Sequence, residues 1–227
     1  MEILSIIPAR GGSKGIYKKN IRDINGKPLI AYTIANAISS SYINRVVVST
    51  DDCEIEQISK KFGAEVLLRP KEISSDFSKS EEALLHVIKT LYKIEKYKPD
   101  IIVFLQCTSP LTIKEDIDNT IDVLLNTDVD TVLSVSEFHY FLWKAKKDGN
   151  ASGINHDKRT RFLRQERRPQ YIETGAVYVM KTDGFLHHKH RFFGKTALNV
   201  IDKERFLEID DEIDLEIAEV MMKKQSR

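Results

Sequence analysis

Apolar runs and helix-spaced apolar stripes take turns along most of this chain. Ile3–Pro8 is a nearly unbroken apolar run of strand length, the pattern of a strand covered on both faces. Pro28 suits the first position of a helix, where its missing N–H is no loss, and the helix it opens is predicted to reach about Ile38. Arg45–Ser49 is a Val-rich strand, Cys53–Phe62 a helix and Ala64–Leu68 a third strand. Ala83, Leu84, Val87, Ile88, Leu91 and Ile94 then recur at helical spacing. Ile101–Leu105 and Thr131–Val135 are two more strands, with Ile117, Ile121, Leu124 and Leu125 marking the helix between them. Such alternation implies a parallel sheet with right-handed crossovers. The predicted fold class is therefore α/β: a Rossmann-like, mostly parallel sheet flanked by helices.

The rhythm stops at Glu137. Residues 137–172 contain Gly149, Gly153 and Pro169 and show little periodicity. Strand character returns at Ala176–Met180 and again at Phe206–Ile209. A last helix is expected from about Asp211, with Ile213, Ile217, Val220 and Met221 on its buried face and Asp211 as its cap. The organisation predicted is one nucleotide-handling domain over residues 1–227, with 137–172 as a protruding arm.

Charge sharpens this division. The 227-residue chain carries a net charge of only +1, which argues against a general nucleic-acid binder. The 137–172 stretch holds nine Lys/Arg against four Asp/Glu, a local +5, so the remainder is at −4. Cys53 and Cys107 are the two cysteines, and their spacing suits neither a disulfide framework nor a zinc site. His187-His188-Lys189-His190 resembles a metal tract only in composition and is expected to be an exposed loop. No apolar run approaches the 18 residues of a membrane helix, and no secretory leader opens the chain, so a cytoplasmic protein without membrane partners is expected.

The chemistry concentrates where the first strand ends. Arg10-Gly11-Gly12-Ser13-Lys14-Gly15 is followed by Lys18, Lys19 and Asn20. Glycines let backbone approach a ligand, successive N–H groups can cradle an anion, and nearby cations neutralise phosphate oxygens. The loop is neither a Walker A sequence nor a dinucleotide fingerprint. A basic surface loop is the plain alternative, but ligands of open α/β sheets sit beyond the carboxyl ends of strands, where this loop lies.

Ile7-Pro8-Ala9-Arg10-Gly11-Gly12-Ser13-Lys14-Gly15, with Lys19-Asn20 and Gly26-Lys27-Pro28-Leu29-Ile30, resembles the signature of the acylneuraminate cytidylyltransferases, the CMP-sialic acid synthetase family. The likeness continues through Ser49-Thr50-Asp51-Asp52, Leu68-Arg69-Pro70, Leu105–Leu111, Gly175-Ala176-Val177-Tyr178 and Ile209–Asp214, with Tyr17 in place of the usual Pro. The resemblance implies a reaction in which the anomeric hydroxyl of an acidic nine-carbon keto sugar attacks the α-phosphorus of CTP. It implies Arg10, Gly11, Gly12, Ser13, Lys14, Lys19 and Asn20 around the triphosphate, with Arg10, Lys19 and Asp210 catalytic. Arg69 and Ser80 match positions that read the base, though Ser80 also suits a helix N-cap. Gln106, Lys144, Arg164, Thr174, Phe192 and Phe193 fall at acceptor positions, the two phenylalanines being equally suited to core packing. Mg²⁺ would be held by Asp210, with Glu208 on a longer arm making a water-mediated contact. The arm would serve a homodimer, with Lys144 and Arg164 completing the partner's site.

The residues Glu173-Thr174 before Gly175-Ala176 differ from the Asn usual in sialic acid members and are similar to members that use legionaminic acid or related bacterial nonulosonates. Two other readings stay open. One is a cytidylyltransferase for an eight-carbon 3-deoxy keto sugar acid, which usually carries an Asp where this chain has Cys107-Thr108. The other is a catalytically inactive nucleotide-binding paralogue, against which Arg10, Lys19 and Asp210 are all retained.

Overall fold

In the computed structural model, which describes residues 1–13, 15–160 and 162–225, the apolar runs become strands close to their expected bounds. β1 (Ile3–Pro8) enters the glycine loop. β2 (Asp23–Ile24) and β3 (Lys27–Pro28) form a minimal hairpin whose turn residues, Asn25 and Gly26, have φ of 51° and 82°. An Asn-Gly pair suits the left-handed backbone that such a two-residue turn requires. Then come α1 (Leu29–Ser39), β4 (Arg45–Thr50), α2 (Cys53–Lys61), β5 (Glu65–Leu68), α3 (Ser80–Glu95), β6 (Ile101–Leu105), α4 (Lys114–Asn126) and β7 (Thr131–Phe138). β8 (Trp143–Ala145) and β9 (Ala151–Gly153) pair as a separate ribbon within the irregular stretch. The chain continues through β10 (Gln170–Lys181), α5 (Thr182–His188), β11 (Thr196–Ile201) and α6 (Glu212–Gln225).

The described residues form one seven-stranded sheet in the order β11-β7-β10-β6-β1-β4-β5. Every residue of β6 is buried, and alternate ones serve opposite layers. Ile101, Val103 and Leu105 pack with the cluster that includes Leu29, Ile117 and Leu215, whereas Ile102 and Phe104 pack with Leu84, Val87 and Phe185. Side chains alternate across a strand, so a run apolar at every position fits only a sheet covered on both faces.

The sheet is mostly parallel, but β10 runs antiparallel to both β6 and β7. The connection from β7 to β10 carries no crossover helix, so the chain returns as in a hairpin. Apolar pattern does not encode strand direction, so this reversal leaves no local mark. β10 also bulges between Glu173 and Tyr178, where Gly175 takes φ +71°.

Two other expectations are corrected. Residues 206–210 form no strand: a short 3-10 turn at Lys203–Arg205 leads into irregular backbone, anchored by Ile209 N–H donating to the Thr108 carbonyl at 2.8 Å. α6 buries Leu215, Ala218 and Met222, leaving Ile213, Ile217 and Val220 exposed. The helix carries two apolar stripes at helical spacing, and only one can face the sheet. Asp211 caps α6 as expected, accepting from the N–H groups of Ile213 and Asp214 at 2.9 and 3.0 Å.

The 203–210 segment is tied to α4 by Arg205, which forms a two-pronged pair with Asp116 at 2.8 and 2.9 Å. Asp116 is buried and also accepts the Ile113 N–H at 3.2 Å. Removing one partner of such a pair strands the other charge. Asp116→Ala is expected to lower the unfolding free energy by about 3 kcal/mol in urea titrations. A loss under about 1 kcal/mol would show that Arg205 does not hold this segment.

Candidate active site

The carboxyl ends of β1 and β6 open into a cleft of about 390 Å³, lined by Arg10, Ser13, Gly15, Lys19, Asn20, Arg69, Ser80, Thr108 and Asp210 among others. Residues far apart in sequence are brought together there by the strand ends. On the β1 side, the glycines of the loop answer to close approach rather than to special dihedrals. A Cβ on Gly11 would lie 2.6 Å from Asp52 Oδ2, and one on Gly15 would overlap the Asp210 carbonyl oxygen. Asn20 is buried and donates to the Arg10 carbonyl at 2.9 Å, closing the loop on itself. The Gly11 N–H is not free for an anion, because it donates to Asp51 Oδ1 at 3.1 Å. Gly12 has open space around its Cα.

The opposite wall is the N-terminal end of α3 and the turn before it. Arg10 reaches across, donating to the Ser75 carbonyl at 2.8 Å and lying 3.2 Å from Asp76. The N-cap of α3 is Lys79, whose N–H donates to Glu82 Oε2 at 3.0 Å. Ser80 is therefore the first helical residue and lines the cleft, so the N-cap reading of Ser80 is corrected by one position. Arg69 follows β5, with its own N–H bonded to the Thr50 carbonyl at 2.8 Å. Its side chain is only 6% exposed and sits 3.9 Å from Asp51. Burial pulls the Arg69 pKa below its usual value, against the pull of Asp51, and Nε has no hydrogen-bond partner. A buried, under-satisfied guanidinium beside a cleft is poised to take an acceptor from a ligand.

The third side is acidic. Lys19 Nζ donates to the Ile209 carbonyl at 2.7 Å and lies 3.3 Å from Asp210 Oδ1. The Asp210 side chain is 77% exposed, facing the cleft. Glu208 rests over Gly175, and Thr108 Oγ1 donates to it at 3.4 Å. Burial, then the charge of Asp210, pushes the Glu208 pKa above the usual carboxylate value. The cleft thus brings Arg10, Lys19, Arg69 and Lys79 together with Asp76 and Asp210, and Glu208 stands behind Thr108, an arrangement suited to a polyanion and a hard cation.

A cytidylyltransferase family model matches residues 4–216. The chain belongs to the cytidylyltransferase family. It is 31% identical to a pseudaminic acid cytidylyltransferase of Campylobacter jejuni over 98% of this chain and 97% of that protein. It is also 31% identical to an N-acylneuraminate cytidylyltransferase of Escherichia coli O18:K1:H7, covering this whole chain but 53% of that longer protein. Among solved structures, a CMP:2-keto-3-deoxy-manno-octonic acid synthetase complexed with CTP superposes with a TM-score of 0.75 over 99% of this chain and 100% of the other, at 17% identity. At that identity the likeness is one of fold.

Several expected acceptor residues of this cytidylyltransferase lie outside the cleft. Gln106 lines a small separate pocket with Thr33, Asn36 and Ser109. Thr174 was expected at the sugar. Its side chain is instead 1% exposed and turned into the sheet, with Oγ1 bonded to Ser134 Oγ at 2.6 Å and to the Ser134 carbonyl at 3.0 Å. It steadies the β10 bulge. Phe192 meets Tyr178 edge-on at 6.1 Å, and Phe193 stacks on His188 at 5.4 Å. Both phenylalanines are half-buried against the α3 layer. Lys144 is exposed on the ribbon, and Arg164 pairs loosely with Glu137 at 3.7 Å. Lys14 lies outside the described residues. The histidines at 187, 188 and 190 are exposed, the first two ending α5.

Sequence reasoning missed Asp51 and Asp76, the carboxylates that hold Gly11, Arg69 and Arg10. Asp51 stood inside a quoted family motif, but a motif match does not say which cation a carboxylate meets. It also missed the Glu81–Arg191 pair at 2.7 Å, whose members are 110 positions apart and leave no local signal.

The two neighbours at the start of α6 have separable roles. Asp211→Ala is expected to cost about 1 kcal/mol of stability as a lost N-cap. Asp210→Asn is expected to change it by less than about 0.5 kcal/mol, because its ion pair is exposed. Chemical denaturation of both variants checks the order, and the reverse order would contradict the geometry.

Proposed function

We propose that this cytidylyltransferase transfers CMP from CTP to the anomeric hydroxyl of an acidic nine-carbon keto sugar, a sialic-acid-like or legionaminic-acid-like nonulosonate. The sugar hydroxyl gives up its proton to solvent and its oxygen bonds to the α-phosphorus, the bond from that phosphorus to the oxygen bridging to the β-phosphorus breaks, and pyrophosphate leaves. The names of the pseudaminic acid and N-acylneuraminate relatives support this acceptor class. The observation that carries the reading is the convergence of Arg10, Lys19, Arg69 and Asp210 on one cleft.

In this reading, Arg10 and Lys19 exchange part of their bonding to Ser75, Asp76, Ile209 and Asp210 for phosphate oxygens. Fixed cations of this kind stabilise charge that develops as the leaving group departs, without reorganisation at the moment of reaction. Arg69 and Ser80 take the acceptor atoms of cytosine. Asp210 and Glu208 supply oxygen donors of the kind Mg²⁺ prefers. Among the described residues no group of three or more His, Cys, Asp or Glu could hold a metal, so a Mg²⁺ ion on Asp210 would draw its other ligands from water and phosphate. When bound, it would supply charge neutralisation and a more acidic anomeric hydroxyl. The reading carries a cytoplasmic location, because the reaction consumes CTP. No helix among the described residues is long and apolar enough to cross a membrane.

We also infer that residues 137–172 form an arm that serves a homodimer. Tyr140, Leu142 and Trp143 are exposed on it, and its basic surface suits an acidic sugar held by Lys144 and Arg164 in the partner's site.

CTP is expected to support pyrophosphate release with a nonulosonic acid at least about tenfold better than UTP, ATP or GTP. Arg10→Ala and Lys19→Ala should each lower kcat/KM by about two orders of magnitude while circular dichroism stays native. Equal turnover with UTP removes the base assignment, and near-normal activity in both variants removes the phosphate assignment. For the arm, sedimentation should give about twice the chain mass, and mixing Arg10→Ala with Arg164→Ala chains should restore part of the activity, since one heterodimer site is then intact. Full activity in a monomer would contradict the shared site.

A further inference from the structure

β4 is the strand between the glycine loop and Arg69, and the turn at its carboxyl end touches both. In the sheet β4 pairs with β1 on one side and β5 on the other. At its end the Ser49 carbonyl accepts the Ala9 N–H at 2.9 Å, and the Thr50 carbonyl accepts the Arg69 N–H at 2.8 Å. The two acids that follow have different partners. Asp52 caps α2, its Oδ1 accepting the N–H groups of Glu54 and Ile55 at 2.8 and 3.0 Å. Asp51 instead meets the two walls of the cleft. Its Oδ1 accepts the Gly11 N–H at 3.1 Å and lies 3.9 Å from a guanidinium nitrogen of Arg69.

Each contact serves a different part of a nucleotide. The backbone at Gly11 is pressed against this turn, since an added Cβ would lie 2.6 Å from Asp52 Oδ2. The bond to Asp51 fixes it there, and Ser13, two residues on, lines the cleft. Arg69 is buried, and of the charges around it Asp51 supports its positive charge while Arg10 opposes it. His86 on α3 supplies no counter-charge, because burial and then the charge of Arg69 lower its pKa. Among the described residues Asp51 is the one carboxylate in an ion pair with Arg69. A pair at this distance is loose in water, but burial of the guanidinium leaves it little screened.

We propose that Asp51 is a positioning residue that joins base reading to phosphate reading: one carboxylate oxygen fixes the glycine loop at Gly11 and holds the Arg69 guanidinium in place for the base. The proposal rests on the assignment of Arg69 to cytosine above. Cytosine offers acceptors at O2 and N3, whereas uracil carries a hydrogen on N3 and accepts nothing there. A donor fixed opposite N3 therefore favours cytosine, and a displaced donor no longer tells the two apart. Removing the Asp51 charge leaves a buried guanidinium unpaired, free to turn to the nearest other anion, the triphosphate. Asparagine at 51 separates the two contacts. Its amide oxygen can still accept from Gly11, but it has no charge to offer Arg69. Alanine removes both.

The test uses the full chain with Mg²⁺. Titration calorimetry without acceptor gives Kd for CTP and for UTP, and pyrophosphate release with a nonulosonic acid gives kcat at saturating CTP. The native chain is expected to bind CTP at least about tenfold more tightly than UTP. Asp51→Asn should shrink that ratio to about threefold or less through weaker CTP binding, with kcat within about twofold of native. Asp51→Ala should shrink the ratio equally and also lower kcat by about tenfold, because the glycine loop is then released. Asp52→Asn makes the same charge change one residue along and should leave the ratio as it is. In an Arg69→Ala background, Asp51→Asn should change neither Kd. Because each ratio is taken on one preparation, a smaller folded fraction cancels from it. An unaltered ratio in Asp51→Asn, an equal loss in Asp52→Asn, or a native kcat in Asp51→Ala overturns the proposal and leaves the Arg69 assignment standing. Equal Kd values for CTP and UTP in the native chain overturn that assignment and the proposal with it. Absence of turnover with every nonulosonic acid removes the acid-sugar reading, while the Kd values still decide the role of Asp51.

Discussion

Lys19 bonds to backbone 190 positions away in sequence, and the cleft depends on that bond. Residues 206–210 belong to no strand or helix, so no ladder of backbone hydrogen bonds fixes them. Their place comes from outside contacts: Arg205 on Asp116, the Ile209 N–H on the Thr108 carbonyl, the Thr108 hydroxyl on Glu208, and the Lys19 ammonium on the Ile209 carbonyl and Asp210. Gly15 adds a steric constraint, since the Asp210 carbonyl fills the space a side chain would need. The Lys19 side chain is only 14% exposed, so its bond to a carbonyl is made largely out of water, where such bonds count for more. The loop after β1 and the segment before α6 are in effect one unit, and Asp210 is presented to the cleft by it.

The same logic applies to the other charges. Arg10 is paired with Asp76, Lys19 with Asp210 and Arg69 with Asp51. Each of these three cations has an acid nearby, and the Gly11 N–H of the glycine loop is taken by Asp51. These contacts orient the cations in advance, which lowers the entropy cost of arranging them around a polyanion. They also compete with it, so a phosphate chain must outbid several exposed carboxylates. A bound divalent cation beside Asp210 would relieve part of that competition, which is a physical reason to expect metal and nucleotide to favour each other's binding in the reaction proposed here.

How much of this was legible in the sequence depends on which residues carry it. β6 was read to the residue because all five of its positions are apolar and buried, a pattern only a sheet covered on both faces produces. β11 was missed because it is an edge strand with exposed Thr196, Leu198 and Val200, whose half-exposed pattern resembles loop. The reversal of β10 was invisible because direction leaves no mark on apolar pattern. The face of α6 was misread because two stripes of equal period compete and only the docked helix chooses. In the cleft, Arg10, Lys19, Arg69 and Asp210 were found through motif rather than through physics, and their convergence follows from strand order, which no local window contains. Thr174 was misplaced because a bulge turns its side chain inward, and bulges depend on pairing partners that the chain order does not reveal.

In the proposed reaction the acceptor hydroxyl attacks the α-phosphorus and keeps its own oxygen. That is tested most directly by running the reaction with CTP and a nonulosonic acid labelled with ¹⁸O at the anomeric hydroxyl, then reading the product by ³¹P NMR. An isotope shift is expected on the single phosphorus of the CMP-sugar and none on pyrophosphate. Label in pyrophosphate, or a CMP-sugar without the shift, would contradict it.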